Sequence, residues 1–212
     1  DPASGSRNFL TETYVSLRKL ENEVIFELTG GQIGFGDKSL SPIKVSIGQF
    51  YGIEINDFAV TVAKTALWIA ESQMMKETEN ILHINLDFLP LKSYTNITEG
   101  NALRIDWNDV IPKEELNYIM GNPPFVGARL MNEDQKEDIA NIFKGTKGAG
   151  NLDYVSCWYK KATKFIDNTA IEVAFVSTNS ITQGEQTSIL WKDILEKGIN
   201  INFAYRTFRW DS

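Results

Sequence analysis

Apolar residues fall at helical spacing in some stretches and in short continuous runs in others, and the alternation of the two sets the expected architecture. Phe9, Leu10, Tyr14, Leu17 and Leu20 mark a helix from Phe9 to about Glu23, with Asn8 placed to cap it. Residues 27 to 49 carry Gly30, Gly31, Gly34, Gly36, Ser39, Ser41, Pro42 and Gly48, which predicts a long loop or irregular hairpin. Phe50 to Ile55 reads as a buried strand with Glu54 at its carboxyl end. A helix over 57 to 76 follows, capped by Asn56 or Asp57, with Ala59, Val62, Ala63, Ala66, Leu67 and Ala70 as a small-residue stripe suited to close packing on a sheet.

Tyr118-Ile119-Met120 is predicted to be a short buried strand that delivers Asn122 to its carboxyl edge. Asn132 caps a helix to about Phe143, and the run from Lys144 to Gly150 forms a connection or a lid. A helix from Leu152 to Asp167, a strand over Ile171 to Ser177, a helix over Glu185 to Lys197 and a strand over Asn200 to Tyr205 complete the pattern. Alternating strands and helices predict an α/β chain with a largely parallel sheet, helices on both faces and ligands bound at the carboxyl strand ends.

The most specific chemistry lies in Asn122-Pro123-Pro124-Phe125. An amine conjugated to an aromatic ring is a poor nucleophile until acceptors pull its hydrogens toward tetrahedral geometry. The Asn122 side-chain oxygen and the Pro123 carbonyl supply two acceptors, held in a turn by prolines with φ near about −65°, and Phe125 supplies a stacking face. Upstream, Asp1-Pro2-Ala3-Ser4-Gly5 leads into a helix start, where backbone N–H groups approach a ligand closely. Glu54, at a strand end, is placed to bind ribose hydroxyls, and Asp106-Trp107 to bind an adenine amino group beside an apolar wall.

Composition fits a single α/β domain with a real core, since 42% of residues are apolar and 23% charged. No run suits a membrane span or a signal peptide, which implies a cytoplasmic protein. One cysteine, Cys157, on a helix face with Tyr154, Val155, Trp158, Ala162 and Phe165, excludes internal disulfides and cysteine-cluster metal sites. His83 is the only histidine, so no multi-histidine metal site is expected. Lys plus Arg number 21 against 28 acidic residues, and the resulting −7 opposes a generally DNA-binding surface. A local positive rim from Arg129, Lys144, Lys147, Arg206 and Arg209 is the counter-expectation.

Together these motifs resemble the S-adenosylmethionine-dependent DNA adenine-N6 methyltransferases of the Asn-Pro-Pro-Phe class. Gly52-Ile53-Glu54-Ile55, Gly150-Asn151-Leu152-Asp153-Tyr154 and the tract from Phe175 to Gly184 extend the likeness to the methylase portion of large bacterial restriction-modification polypeptides. The resemblance implies a Rossmann-like class I methyltransferase domain over residues 1 to 212, incomplete, with its first strand and closing hairpin outside the chain. It also implies S-adenosyl-L-methionine held by Asp1, Pro2, Ala3, Gly5, Phe9, Glu54, Ile55, Asp106, Trp107 and Asn122, with Asn122, Pro123, Pro124 and Phe125 catalytic and no metal. Direct attack of the amino nitrogen on the sulfonium methyl is implied, as are double-stranded DNA with a flipped adenine and target-recognition or nuclease regions as partners. Asp153 and Tyr154 are expected to line the cofactor or base pocket. Arg7 stands where the family usually has glycine; at positive φ it would cost on the order of 1 to 2 kcal/mol and open the possibility of an inactive cofactor- or DNA-binding module. Protein-glutamine and ribosomal-RNA amino-group methyltransferases share such loops and remain alternatives.

Overall fold

The computed structural model describes residues 1–5, 9–30, 43–83 and 96–208, which excludes Arg7, Asn8, the glycine-rich residues 31–42 and Arg209. Two compact units are formed, one from Asp1 and Ala3–Asn101, the other from Pro2 and the residues from Ala102 onward. No helix among the described residues is long and apolar enough to cross a membrane.

In the first unit, helix α1 (Phe9–Thr29) precedes strand β1 (Tyr51–Glu54), helix α2 (Asp57–Leu82) and strand β2 (Asn96–Glu99). β1 and β2 pair in parallel, with Gly52 opposite Ile97 and Glu54 opposite Glu99. α1 runs past Glu23 because buried Ile25 continues the face of Tyr14, Arg18 and Asn22. Gly30, at φ 57°, ends it, with its N–H on the Phe26 carbonyl at 2.8 Å. The expected loop therefore begins later than residue 27.

The Asn56 side chain caps α2 by accepting the Ala59 N–H at 2.9 Å. α2 runs past residue 76 because Met74, Thr78 and Leu82 prolong the buried line of Val60, Ala63, Leu67 and Ala70. Ala59, Val62 and Ala66 are only half-buried, so the packed face is turned toward Val60 relative to the predicted stripe. His83, exposed at φ 53°, closes the helix.

Leu10, Tyr14, Ile47, Phe50, Val60, Leu67, Met74 and Ile97 form the core of this unit, with the Tyr14 and Phe50 rings edge to face at 5.6 Å. A polar seam crosses it between α1 and α2. Arg18 is fully buried; it pairs with Glu21, and its Nη2 donates to Thr78 Oγ1 at 2.7 Å. Thr78 Oγ1 in turn donates to Asn22 Oδ1 at 2.7 Å. Burial raises the Glu71 carboxyl above its usual range, with Arg18 opposing the shift, and pushes the Tyr14 hydroxyl up to about 12.

The second unit contains strand β3 (Tyr118–Gly121), helix α3 (Glu133–Ile142), helix α4 (Ser156–Phe165), strand β4 (Glu172–Phe175) and helix α5 (Gly184–Glu196). β3 and β4 are parallel, and the Val176 N–H reaches the Gly121 carbonyl at 3.0 Å just beyond the paired residues. Asn132 and Gln135 cap α3 reciprocally, at 2.9 and 3.1 Å. α4 begins at Ser156 rather than Leu152, because residues 153–155 form a tight turn whose carbonyls accept the N–H groups three residues on. Lys160 reaches Asp193 of α5 at 2.5 Å, and the Tyr159 ring meets those of Phe175 and Trp191. Cys157 is buried on α4 as expected, and burial raises its thiol well above the ordinary range.

Two expectations are corrected. The strand predicted over Asn200 to Tyr205 is absent: residues 201–208 are exposed and in no ladder, and an unpaired extended segment is not a strand. Pairing is parallel as predicted, but the described strands form two separate two-stranded ladders, not one sheet.

The Arg18–Thr78–Asn22 seam yields a stability prediction. Thr78→Val keeps the shape but strands a buried guanidinium N–H and the Asn22 oxygen, at an expected cost of about 2 to 3 kcal/mol. Thr78→Ser, which keeps the hydroxyl, should recover most of that loss. Denaturant unfolding of both variants provides the check, and equal losses would count against the seam.

Candidate functional site

In the first unit the segment from Asp1 to Gly5 lies along β1. The Ile53 N–H bonds the Asp1 carbonyl at 2.9 Å, and the Ser4 N–H bonds the Ile53 carbonyl at 3.1 Å. Gly52 makes this approach possible, since a Cβ there would lie 3.2 Å from Ser4 Cβ and 3.1 Å from Leu10 Cδ1. Gly5 adopts φ 58°, a left-handed backbone that suits glycine, and its N–H points at Glu54 Oε2 at 2.8 Å. The other Glu54 oxygen accepts the Asn56 N–H at 3.0 Å. Each carboxylate oxygen can accept two hydrogen bonds, so Glu54 retains acceptor capacity for a ligand.

Asp1 Oδ1 accepts the Ala3 N–H at 2.9 Å, whereas Asp1 Oδ2 is buried without a hydrogen-bond partner. Phe9 opens α1, half-buried. Ile55, predicted to touch cofactor, is 68% exposed just past β1, and Phe58 in the first turn of α2 is 73% exposed.

The second unit holds the remaining predicted residues. Pro2, which groups with this unit, is buried, and its carbonyl accepts from Trp158 Nε1 at 2.9 Å. Asp106 and Trp107 part company. Asp106 is exposed and caps a short turn by accepting the Asn108 N–H at 2.9 Å, whereas Trp107 is buried with its Nε1 on the Ala102 carbonyl at 2.8 Å. The Trp107 ring lies edge-on to Phe165 and under Lys161 Nζ, 5.5 Å from the ring centroid. Burial lowers the Lys161 ammonium to about 8, with Asp106 and Asp138 opposing.

Asn122 directly follows β3, as predicted. Pro123 is buried, Pro124 exposed and Phe125 42% exposed, so the loop anchors on one proline and presents the ring. Asn122 Oδ1 is buried yet has no hydrogen-bond partner. Such an acceptor is costly unless a ligand completes it. Asp153, expected in a pocket wall, accepts from the Ala128 N–H at 3.3 Å and from the hydroxyls of Thr178 (3.4 Å) and Ser180. The Tyr154 hydroxyl donates to buried Asp138 at 2.7 Å, and burial raises its pKa well above the ordinary tyrosine range.

Known proteins are similar to this chain in sequence and in fold. The chain is 46% identical over 213 residues to DNA methyltransferase A of Bacillus subtilis, an alignment covering 99% of this chain and 24% of that protein. A putative type II restriction enzyme and methyltransferase of Methanocaldococcus jannaschii is 27% identical over 128 residues, 58% of this chain and 10% of that one. A solved structure of the type IIL restriction-modification enzyme MmeI in complex with DNA superposes with TM-score 0.91 at 45% identity, covering all of this chain and 28% of that one. The chain thus spans about a quarter of the length of these two closely matching relatives. The family model described as the MmeI DNA-methyltransferase domain matches residues 1–212, and the chain belongs to that family.

Proposed function

We propose that this domain transfers a methyl group from S-adenosyl-L-methionine to adenine N6 in double-stranded DNA, within a restriction-modification polypeptide that also carries target recognition. One observation carries the reading: Asn122 Oδ1, a buried acceptor with no partner, sits in a proline-held turn three residues before an exposed phenylalanine. An acceptor so placed suits an N–H from outside the protein. The exposed Phe125 ring suits the face of an extruded base, which stacking stabilises by roughly 1 to 3 kcal/mol.

The residues of the first unit fit the cofactor. Glu54 has acceptor capacity for ribose hydroxyls, the buried Asp1 Oδ2 for an ammonium, and exposed Ile55 and Phe58 offer apolar surface to a flat ring. When bound, S-adenosylmethionine supplies an electrophilic methyl group. The protein orients the target amine: Asn122 would draw on its hydrogens so that the nitrogen lone pair localises, and as the new N–C bond forms the methyl–sulfur bond breaks, its electron pair staying on sulfur as a neutral thioether while the amine's extra proton passes to solvent.

Methylation of plasmid DNA by the intact polypeptide with labelled cofactor, followed by nucleoside analysis, tests the reading. N6-methyladenine is the expected product, and label in protein or RNA alone would overturn it. Asn122→Ala should fold and bind cofactor yet lose turnover equivalent to roughly 2.7 to 4 kcal/mol of barrier. Near-normal methylation by that variant would place the chemistry elsewhere.

Glu54→Ala should weaken cofactor binding by about 1.5 to 3 kcal/mol, through lost charge-assisted bonds and release of the Gly5 N–H it now fixes. Calorimetric titration reads this directly, and unchanged affinity would remove Glu54 from the site. Phe125→Trp should keep activity while Phe125→Ala loses it, and duplexes with the target adenine mismatched should partly rescue the alanine variant, because a mismatch lowers the extrusion cost. Equal defects on matched and mismatched duplexes would assign Phe125 a structural role.

A further inference from the structure

Granted the methyl-transfer reading of the loop, we propose that Asp153 is a positioning residue that holds the segment behind Asn122-Pro123-Pro124-Phe125 in its working shape by tying it to the Thr178–Ser180 tract. The loop is fixed at both ends and by different means. At its start, the Val176 N–H bonds the Gly121 carbonyl at 3.0 Å, just beyond the β3–β4 ladder. At its far end Asp153 and Tyr154 both hold it. The Tyr154 N–H bonds the Val126 carbonyl at 2.9 Å, and Asp153 Oδ1 accepts the Ala128 N–H at 3.3 Å.

The other Asp153 oxygen faces a second segment. Oδ2 accepts from Thr178 Oγ1 at 3.4 Å and from Ser180 Oγ, and these two hydroxyls bond each other at 2.6 Å. The Asp153 N–H adds a third direction, donating to Gln186 Oε1 of α5 at 3.1 Å. Gly127 packs here too, its Cβ position lying 3.8 Å from Asp153 Oδ1. One carboxylate thus joins two stretches far apart in sequence, and each end of the loop is tied to the chain that follows β4.

Its chemistry suits this role better than catalysis. Both oxygens are engaged by donors within the protein, which fixes the carboxylate between the two segments it joins. Between the two clamps Pro124 and Phe125 are exposed. Loss of the Asp153 carboxylate releases the Ala128 N–H, leaves Val126 held by the Tyr154 N–H alone, and lets Phe125 drift. A misplacement of about 1 Å in a reacting assembly costs on the order of 100-fold in rate.

The test uses the intact polypeptide and a duplex carrying 2-aminopurine at the adenine that the wild-type enzyme methylates, located first by sequencing methylated plasmid. Asp153→Ala is expected to lower kcat by about 100-fold and to abolish the rise in 2-aminopurine fluorescence that marks an extruded base, while cofactor affinity and melting temperature stay near wild type. Asp153→Asn, which can still accept from Ala128 while its amide donates to the Thr178 and Ser180 hydroxyls, should restore much of both signals. Ser180→Ala should show a milder form of the alanine defect. Wild-type fluorescence and turnover in Asp153→Ala would overturn the proposal, as would a loss of cofactor affinity and melting temperature in step with activity, or an asparagine variant no better than alanine. Failure of the wild-type enzyme to methylate DNA at all would instead refute the functional reading, a separate and earlier outcome.

Discussion

Parallel pairing of short strands is the constraint on which the candidate sites depend. A parallel pair cannot be closed by a tight hairpin, so the carboxyl ends of both strands lead into longer connections whose backbone is free for other work. In the first unit this leaves Glu54 at the end of β1, turned to receive the N–H groups of Gly5 and Asn56. In the second it leaves Asn122 at the end of β3, with Val176 bonded alongside. Helix packing supports each ladder, but the ladders decide where these side chains emerge.

The legible parts of the chain were those whose cause is local. Asn56 and Asn132 cap helices through bonds spanning three residues, and the loop after β3 is set by two adjacent prolines, so both could be read from short windows. The closeness of Asp1 to Gly5 and Glu54 was legible only in outline, because the bond between Gly5 and Glu54 spans 49 positions. Helix lengths were underestimated where tertiary contacts extend them: Thr78 reads as a neutral polar residue until Arg18 meets it. β2 was missed because Asn-Ile-Thr-Glu buries one apolar residue only and shows little of the expected alternation. Conversely, Ile201, Phe203 and Tyr205 alternate as a strand should, yet they belong to no ladder. The burial of Trp107 was not legible either, because its Nε1 bond to the Ala102 carbonyl depends on how the chain folds back.

Asp153 shows a further limit of local reading. Its motif pointed to a pocket, and its contacts run 25 positions in both directions, to Ala128 and to Thr178. Such a residue has no periodicity or spacing signature. Only a folded chain displays what it joins.

The unpartnered oxygen of Asn122 also bears on how this domain balances durability against work. A buried acceptor left unsatisfied costs about 1 to 3 kcal/mol of folding free energy, a sizeable share of the roughly 5 to 15 kcal/mol that holds a typical domain together. An apolar side chain of similar size would relieve that cost. Selection for thermal robustness alone would therefore press on this position toward an inert loop, and an asparagine here is a residue kept against the interest of the fold.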